Sequence, residues 1–194
     1  MEFRPKRTKH KVLYAVYAAL VVLCIAVIVI VHRGEQKALK GQGLAQLRSI
    51  TSTLSEELGA NNIQALVERY DSRGLVIKNT QDARYYVLHE RLRRTAEKNG
   101  LVAPLELLIH DPQKQEVQVV VTSEEKPRFR EPWAGDQARL LAQFGKAGSL
   151  EAGASGAREI VAFDAVRNNE GVVIAMIVAR SPLDVFAATS KAAL

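Results

Sequence analysis

The sequence is poor in the residues that most site chemistry requires. A single cysteine, Cys24, excludes both a disulfide framework and a cysteine-based zinc site. Of the four histidines, only His89 and His110 lie away from the membrane-flanking ends. No HExxH, GxSxG, glycine-rich phosphate loop or EF-hand loop is present, and no acidic or histidine cluster has metal-ligand spacing. Glu56-Glu57 and Glu124-Glu125 are adjacent pairs that read as solvated. These absences point away from an enzyme and from a resident metal or cofactor.

Basic residues outnumber acidic ones, 27 to 21, but unevenly. Arg4, Lys6, Arg7, Lys9 and Lys11 stand against Glu2 alone in the first eleven residues. The remainder is nearly balanced and has no face basic enough to suggest a nucleic-acid partner. The local cluster Arg91-Arg93-Arg94 with Lys98 is interleaved with Glu90 and Glu97, as on a solvated helix face. Charge on this scale is topogenic: a basic tail (1–11) precedes an uncharged run from Val12 to Val31.

That run, as a helix, spans about 30 Å, the thickness of a bilayer's hydrocarbon core. Its valines and isoleucines would suit a strand in water, but a lone strand in lipid leaves its backbone unpaired, so the helix is expected. It is too long for a signal-peptide core, and His32-Arg33-Gly34-Glu35 offers no cleavage site. The positive-inside rule puts the N-terminus in the cytoplasm and the rest outside, at a bacterial inner membrane.

Residues 32–59 read as a stalk helix. Leu44, Leu47, Thr51, Leu54 and Leu58 recur at steps of three and four, a seam that serves the chain's own domain, a homodimer or both at once, and a homodimer through this helix is expected. Gly41 and Gly43 mark a possible joint, and Gly59 a C-terminal cap. Residues 60–188 read as one α+β domain, and 189–194 as the start of an exit helix. Within it, Asn61 or Asn62 can cap a short helix ended by Arg73-Gly74, and Asp82 caps a strong helix stopped by Gly100. His89 sits on that helix's apolar stripe, as a satisfied core histidine does.

Two hairpins follow, 105–122 and 159–179, turning at Asp111-Pro112-Gln113-Lys114 and Asn168-Asn169-Glu170-Gly171. Between them come a polar loop at 123–132, a short helix at 136–146 and a Gly/Ser-rich loop at 148–156. An antiparallel sheet of four or five strands with flanking helices is expected.

Two segments carry a family likeness: DARYYVLHERLRRTAEKNGLVAPLELLIHDPQKQEVQVVV (82–121) and IVAFDAVRNNEGVVIAMIVARSPLDVF (160–186). With the preceding tail, span and long helix, they resemble the extracytoplasmic sensor region of bacterial receptors with a Cache-type, extracellular PAS-like domain. Ala165 stands where such domains usually have proline, and Val178-Ala179-Arg180 where many have Val-Asp-Ile. Arg130-Glu131-Pro132-Trp133 echoes the Arg-x-Trp-Tyr pocket signature of the amino-acid-binding subgroup.

The resemblance implies a ligand pocket between the sheet and the loop-rich segment. Its candidate lining is Arg128 and Arg130 for a carboxylate, Trp133 as a wall, Asp164 for an amine, and Tyr86 from the helix. The function implied is ligand sensing for a signal-transduction receptor. Such receptors continue into a second span and an output domain, so the chain ending at Leu194 reads as a fragment or as one that signals through a partner. The alternative is a bitopic structural component of a pilus, secretion or other envelope assembly, which shares the tail, span, coiled-coil helix and small α+β domain.

Overall fold

The protein was described from a computed structural model, which defines residues 6–74, 76, 82–154 and 157–183. The expected exit helix at 189–194 lies outside the described residues, as do most of the short run after Gly74 and the turn before Asp82.

Helix α1 (Lys6–Glu57) is one helix of 52 residues, about 78 Å long. It runs through Gly41 and Gly43 without a break, so the expected joint is absent: the helix ladder absorbs both glycines. From Leu13 to Val31 its side chains are exposed throughout, and it is the one helix among the described residues long and apolar enough to cross a membrane. Further on it changes character. Leu47, Ile50, Thr51, Leu54 and Leu58 are buried, with Leu44 packed beside them. The seam read from the sequence is therefore occupied by the chain's own domain.

Helix α2 (Ala60–Arg69) starts at Gly59, which gives no side-chain cap; Asn61 and Asn62, expected to cap it, lie inside. It ends at Tyr70, before Arg73-Gly74. Helix α3 (Ala83–Lys98) has the expected cap: an Asp82 carboxylate oxygen accepts from the Arg84 backbone N–H at 2.9 Å. Its Tyr85, Leu88 and Leu92 are buried, and Gly100 follows at φ 60°, a conformation a side chain would resist.

The sheet has six strands: β1 (Glu106–Asp111), β2 (Glu116–Thr122), β3 (Glu131–Pro132), β4 (Gly148–Ala154), β5 (Ala157–Arg167) and β6 (Val173–Pro182). Their spatial order is β3-β2-β1-β6-β5-β4, and all pairings are antiparallel. The sequence led to four or five strands because the Gly/Ser-rich segment looked like a loop. Its first part is instead edge strand β4, whose pairing is supplied by β5. The expected helix at 136–146 is shorter, α4 (Gln137–Leu141), followed by turns.

Strand alternation divides the interior in two. One face of the sheet presents Leu107, Ile109, Ile160, Ala162, Val166, Ala175, Ile177 and Ala179 to α1, α2 and α3. The other presents Leu108, Val117, Val119, Val161, Phe163, Met176 and Val178 to Trp133 and α4's Leu140. A bulge between Leu107 and Leu108 opposes Val119, Val120 and Val121 to two residues of β1. It turns both Val120 and Val121 to the helix face.

Candidate functional site

Glu106 opens the central strand β1 and points to the face away from the helices, the same side as Leu108 and His110. It is only 1% exposed. A carboxylate so placed costs several kcal/mol unless partners compensate it, and here they come from three other parts of the chain. Arg128, in the segment after β2, donates to Oε1. Trp133, just after β3, donates its indole N–H to Oε2 at 2.8 Å. Arg180, near the end of β6, brings its guanidinium to the same oxygen at 3.0 Å and lies 5.9 Å from the Trp133 ring centroid. Glu159 on β5 lies 3.8 Å from Arg180, and Glu124 3.2 Å from Arg128.

The local chain holds these groups in place. Trp133 packs over Gly135, where a Cβ would overlap three atoms of the indole ring, so only glycine leaves room for this ring position. The Tyr85 hydroxyl donates to the Arg128 carbonyl at 2.8 Å and accepts from the Arg128 N–H at 3.0 Å. The residue from which one guanidinium springs is thus pinned to α3. Burial drives the Tyr85 hydroxyl's pKa well above the usual tyrosine value, so it stays protonated and able to donate.

The sequence candidates separate in space. Arg128 and Trp133 meet at Glu106. Arg130, expected to share a ligand carboxylate with Arg128, turns to the helix side. Its guanidinium donates to the Tyr70 carbonyl at 2.7 Å, the Val67 carbonyl at 2.8 Å and the Gln118 side-chain oxygen at 3.2 Å. Arg130 therefore caps the C-terminal end of α2, and does so from a backbone φ of 52°.

Asp164 also lies on the helix side, by its alternation with Ala162 and Val166. It lines a cleft of about 320 Å³ with Arg48, Thr51 and Ser52 of α1, and its Oδ1 accepts from the Ala165 N–H. The sheet separates it from Trp133. Tyr86 sits on the outer face of α3, 36% exposed, with its ring edge-on to Tyr85.

Glu106 and Arg180, missing from the sequence candidates, complete the cluster. Each carried a signal: a lone charge inside the apolar run LELLI, and a lone charge closing VVIAMIVA. His89 is bonded as expected of a core histidine, its Nδ1 2.6 Å from the Thr122 carbonyl. Arg91, Arg93 and Arg94 pair with Glu57 and Glu90. Among the described residues no group of acidic, histidine or cysteine side chains is arranged to hold a metal.

No family model matches the chain, and no curated protein sequence does. Solved structures do. The chain is similar to the Escherichia coli DcuS sensor domain, with a TM-score of 0.51 and 14% identity over 81% of this chain and 98% of that one. It also matches the Vibrio cholerae histidine kinase DctB sensor domain, at a TM-score of 0.41 and 16% identity over 78% of this chain and 58% of that one. A further match is the ligand-binding domain of the Campylobacter jejuni chemoreceptor Tlp3 in complex with L-valine, at 0.37 and 10%, covering 78% and 64%. Behind its long apolar N-terminal helix, the chain has the PAS/Cache-like α+β fold of the DcuS sensor domain.

Proposed function

We propose that this protein is a membrane-anchored, extracytoplasmic ligand-sensing module of a bacterial signal-transduction receptor. The observation that carries the reading is the continuity of α1. One unbroken helix presents an exposed apolar stretch at Leu13–Val31 and then buries Leu47, Ile50 and Leu54 against the sheet. A repacking of the domain on that helix would therefore move the membrane span with no flexible link between. The likeness to the DcuS sensor domain supports the same reading.

In this proposal residues 1–11 are cytoplasmic, α1 crosses the inner membrane, and the sheet domain lies in the periplasm. The ligand region is the face of the sheet around Arg128 and Trp133, under the segment that joins β2 to α4. Tyr86, Arg130 and Asp164 stand away from it, so their influence on a ligand would be indirect. A homodimer would use the outward face of α1, since the apolar seam is buried within the chain.

The test is a thermal-unfolding screen of the full chain in detergent micelles against a library of small metabolites. Ligand at a hundred times its Kd adds about 2.7 kcal/mol of stability. A saturable rise in Tm with one chemical class, lost in R128A, supports sensing. A library with no response, together with a co-purifying envelope subunit, would overturn it.

A further inference from the structure

The Glu106 cluster has more donors than a structural ion pair needs. Two guanidiniums and an indole N–H, from the segment joining β2 to α4 and from β6, converge on one carboxylate. In addition, the Nε of Arg180 is buried without a hydrogen-bond partner, while the Nε of Arg128 faces Glu124 at 3.2 Å. A glutamate inside an apolar central strand does nothing for the ladder, and an apolar residue there would avoid the cost of burying a charge. The converging donors form a site for an oxyanion, and the side chain that fills it belongs to the strand.

We propose that Glu106 is a built-in ligand: Arg128, Arg180 and Trp133 form a carboxylate-binding site that the chain fills with its own side chain. Glu106 draws the segment carrying Arg128 and Trp133 onto the sheet in the way an external carboxylate would. A small external carboxylate reaches these donors only by displacing it. The wild-type protein therefore holds the occupied arrangement unaided and does not respond to simple carboxylates at this site. The consequence for signalling rests on the sensing reading, but the geometry does not.

The experiment is carboxylate rescue in the full chain in detergent micelles, read by thermal unfolding. Glu106→Ala removes the internal carboxylate and opens a space of its size. Sodium acetate or propionate should then raise the Tm of E106A saturably, by about 4 °C at ten times the Kd. Sodium chloride at equal ionic strength should not, and neither salt should shift the wild type in this way. E106Q, which loses the charge but fills the space, should have a lowered Tm that acetate does not restore.

If E106A does not fold unaided, its refolding yield against acetate concentration is the readout, and recovery with acetate but not chloride supports the proposal. A lack of rescue in E106A shows a structural ion pair only and overturns it. Equal acetate responses in the wild type, or in E106Q, also overturn it. Rescue of E106A with no wild-type response to the metabolite library and a co-purifying envelope subunit would leave the built-in ligand standing and sink the sensing reading. A library hit without rescue would do the reverse.

Discussion

Arg130 allows a sharp test, because the sequence suggests a ligand contact and the structure gives its guanidinium three partners inside the chain. In Arg130→Ala the Val67 and Tyr70 carbonyls lose a charged donor, and Gln118, fully buried, loses one of its partners. A hydrogen bond to a charged group contributes about 1.5–3 kcal/mol. The site is partly open, so water recovers part of this, and about 3 kcal/mol in all is a reasonable expectation. The residue also sits at φ 52°, where a non-glycine residue carries roughly 1 kcal/mol of strain. Alanine keeps that strain and glycine removes it. R130A should therefore lose about 3 kcal/mol and R130G about 2, which is roughly 10 °C and 6 °C in Tm for a domain of this size.

Trp133 makes the assay clean. It is the only tryptophan in the chain and is buried on the opposite face of the sheet from the Arg130 guanidinium. Its fluorescence thus follows unfolding of the sheet domain without reporting the membrane helix. Arg130→Lys keeps the charge but cannot span three acceptors, so it should fall near R130A. An R130A protein with unchanged Tm would refute the capping role and return Arg130 to the ligand contacts. Equal losses in R130A and R130G would refute the strain.

Three further outcomes are expected. Leu54 is 1% exposed where α1 meets the sheet, so Leu54→Ala should cost about 3 kcal/mol, seen as a Tm drop near 10 °C. Gly135→Ala should force the Trp133 ring away from Glu106, costing about 2 kcal/mol and red-shifting its emission; an unshifted spectrum would refute the packing. Asp82 is held well below the usual carboxylate pKa, chiefly by hydrogen bonds from Arg84, so its stabilising effect is complete above the ordinary value of about 4 and fades as pH falls below it. Asp82→Asn keeps a capping oxygen without the charge. The gap in Tm between wild type and D82N, open at neutral pH, should therefore begin to narrow only below about pH 4 and still be partly open at about pH 3.

Elements whose pattern is local were legible in the sequence. The uncharged run, the Asp82 cap, the α3 stripe and both hairpin turns each follow from neighbours a few residues apart. Strand β4 was not, because GSLEAGA has little strand propensity of its own and is ordered by the backbone of β5. The α1 seam shows a different limit. A heptad-like stripe reads the same whether a second copy or the chain's own sheet covers it, and only the placement of β5 and β6 decides.

The candidate site was half legible for a related reason. Arg128 and Trp133 were visible in the loop, but a loop does not say where its side chains go. Arg128 leaves on the face opposite Phe129, which is anchored in the helix-side core, but Arg130 does not, because its φ of 52° breaks the alternation. The informative residues were the charges inside apolar strands. Alternation places Glu106 with Leu108 and Arg180 with Val178, all on the face away from the helices, and β1 and β6 are neighbours in the sheet. A charge in a buried strand must find its opposite, so the pair Glu106 and Arg180 carries register information that composition conceals.

That pair also sets the scale of any switch. On β6, Ala175, Ile177 and Ala179 face the helices while Arg180 faces Glu106, so one strand touches both the site and the helix-side core. A ligand alters an equilibrium only by its differential affinity for two states, and carrying it from 1:99 to 99:1 takes about 5.5 kcal/mol. Releasing Glu106 breaks a charged hydrogen bond from Arg128 and an ion pair with Arg180, and breaking a buried pair costs about 3–5 kcal/mol. The internal ion pairs are thus of the size a two-state device needs. A weaker network would be displaced by any passing anion, and one much stronger would leave no ligand able to move it.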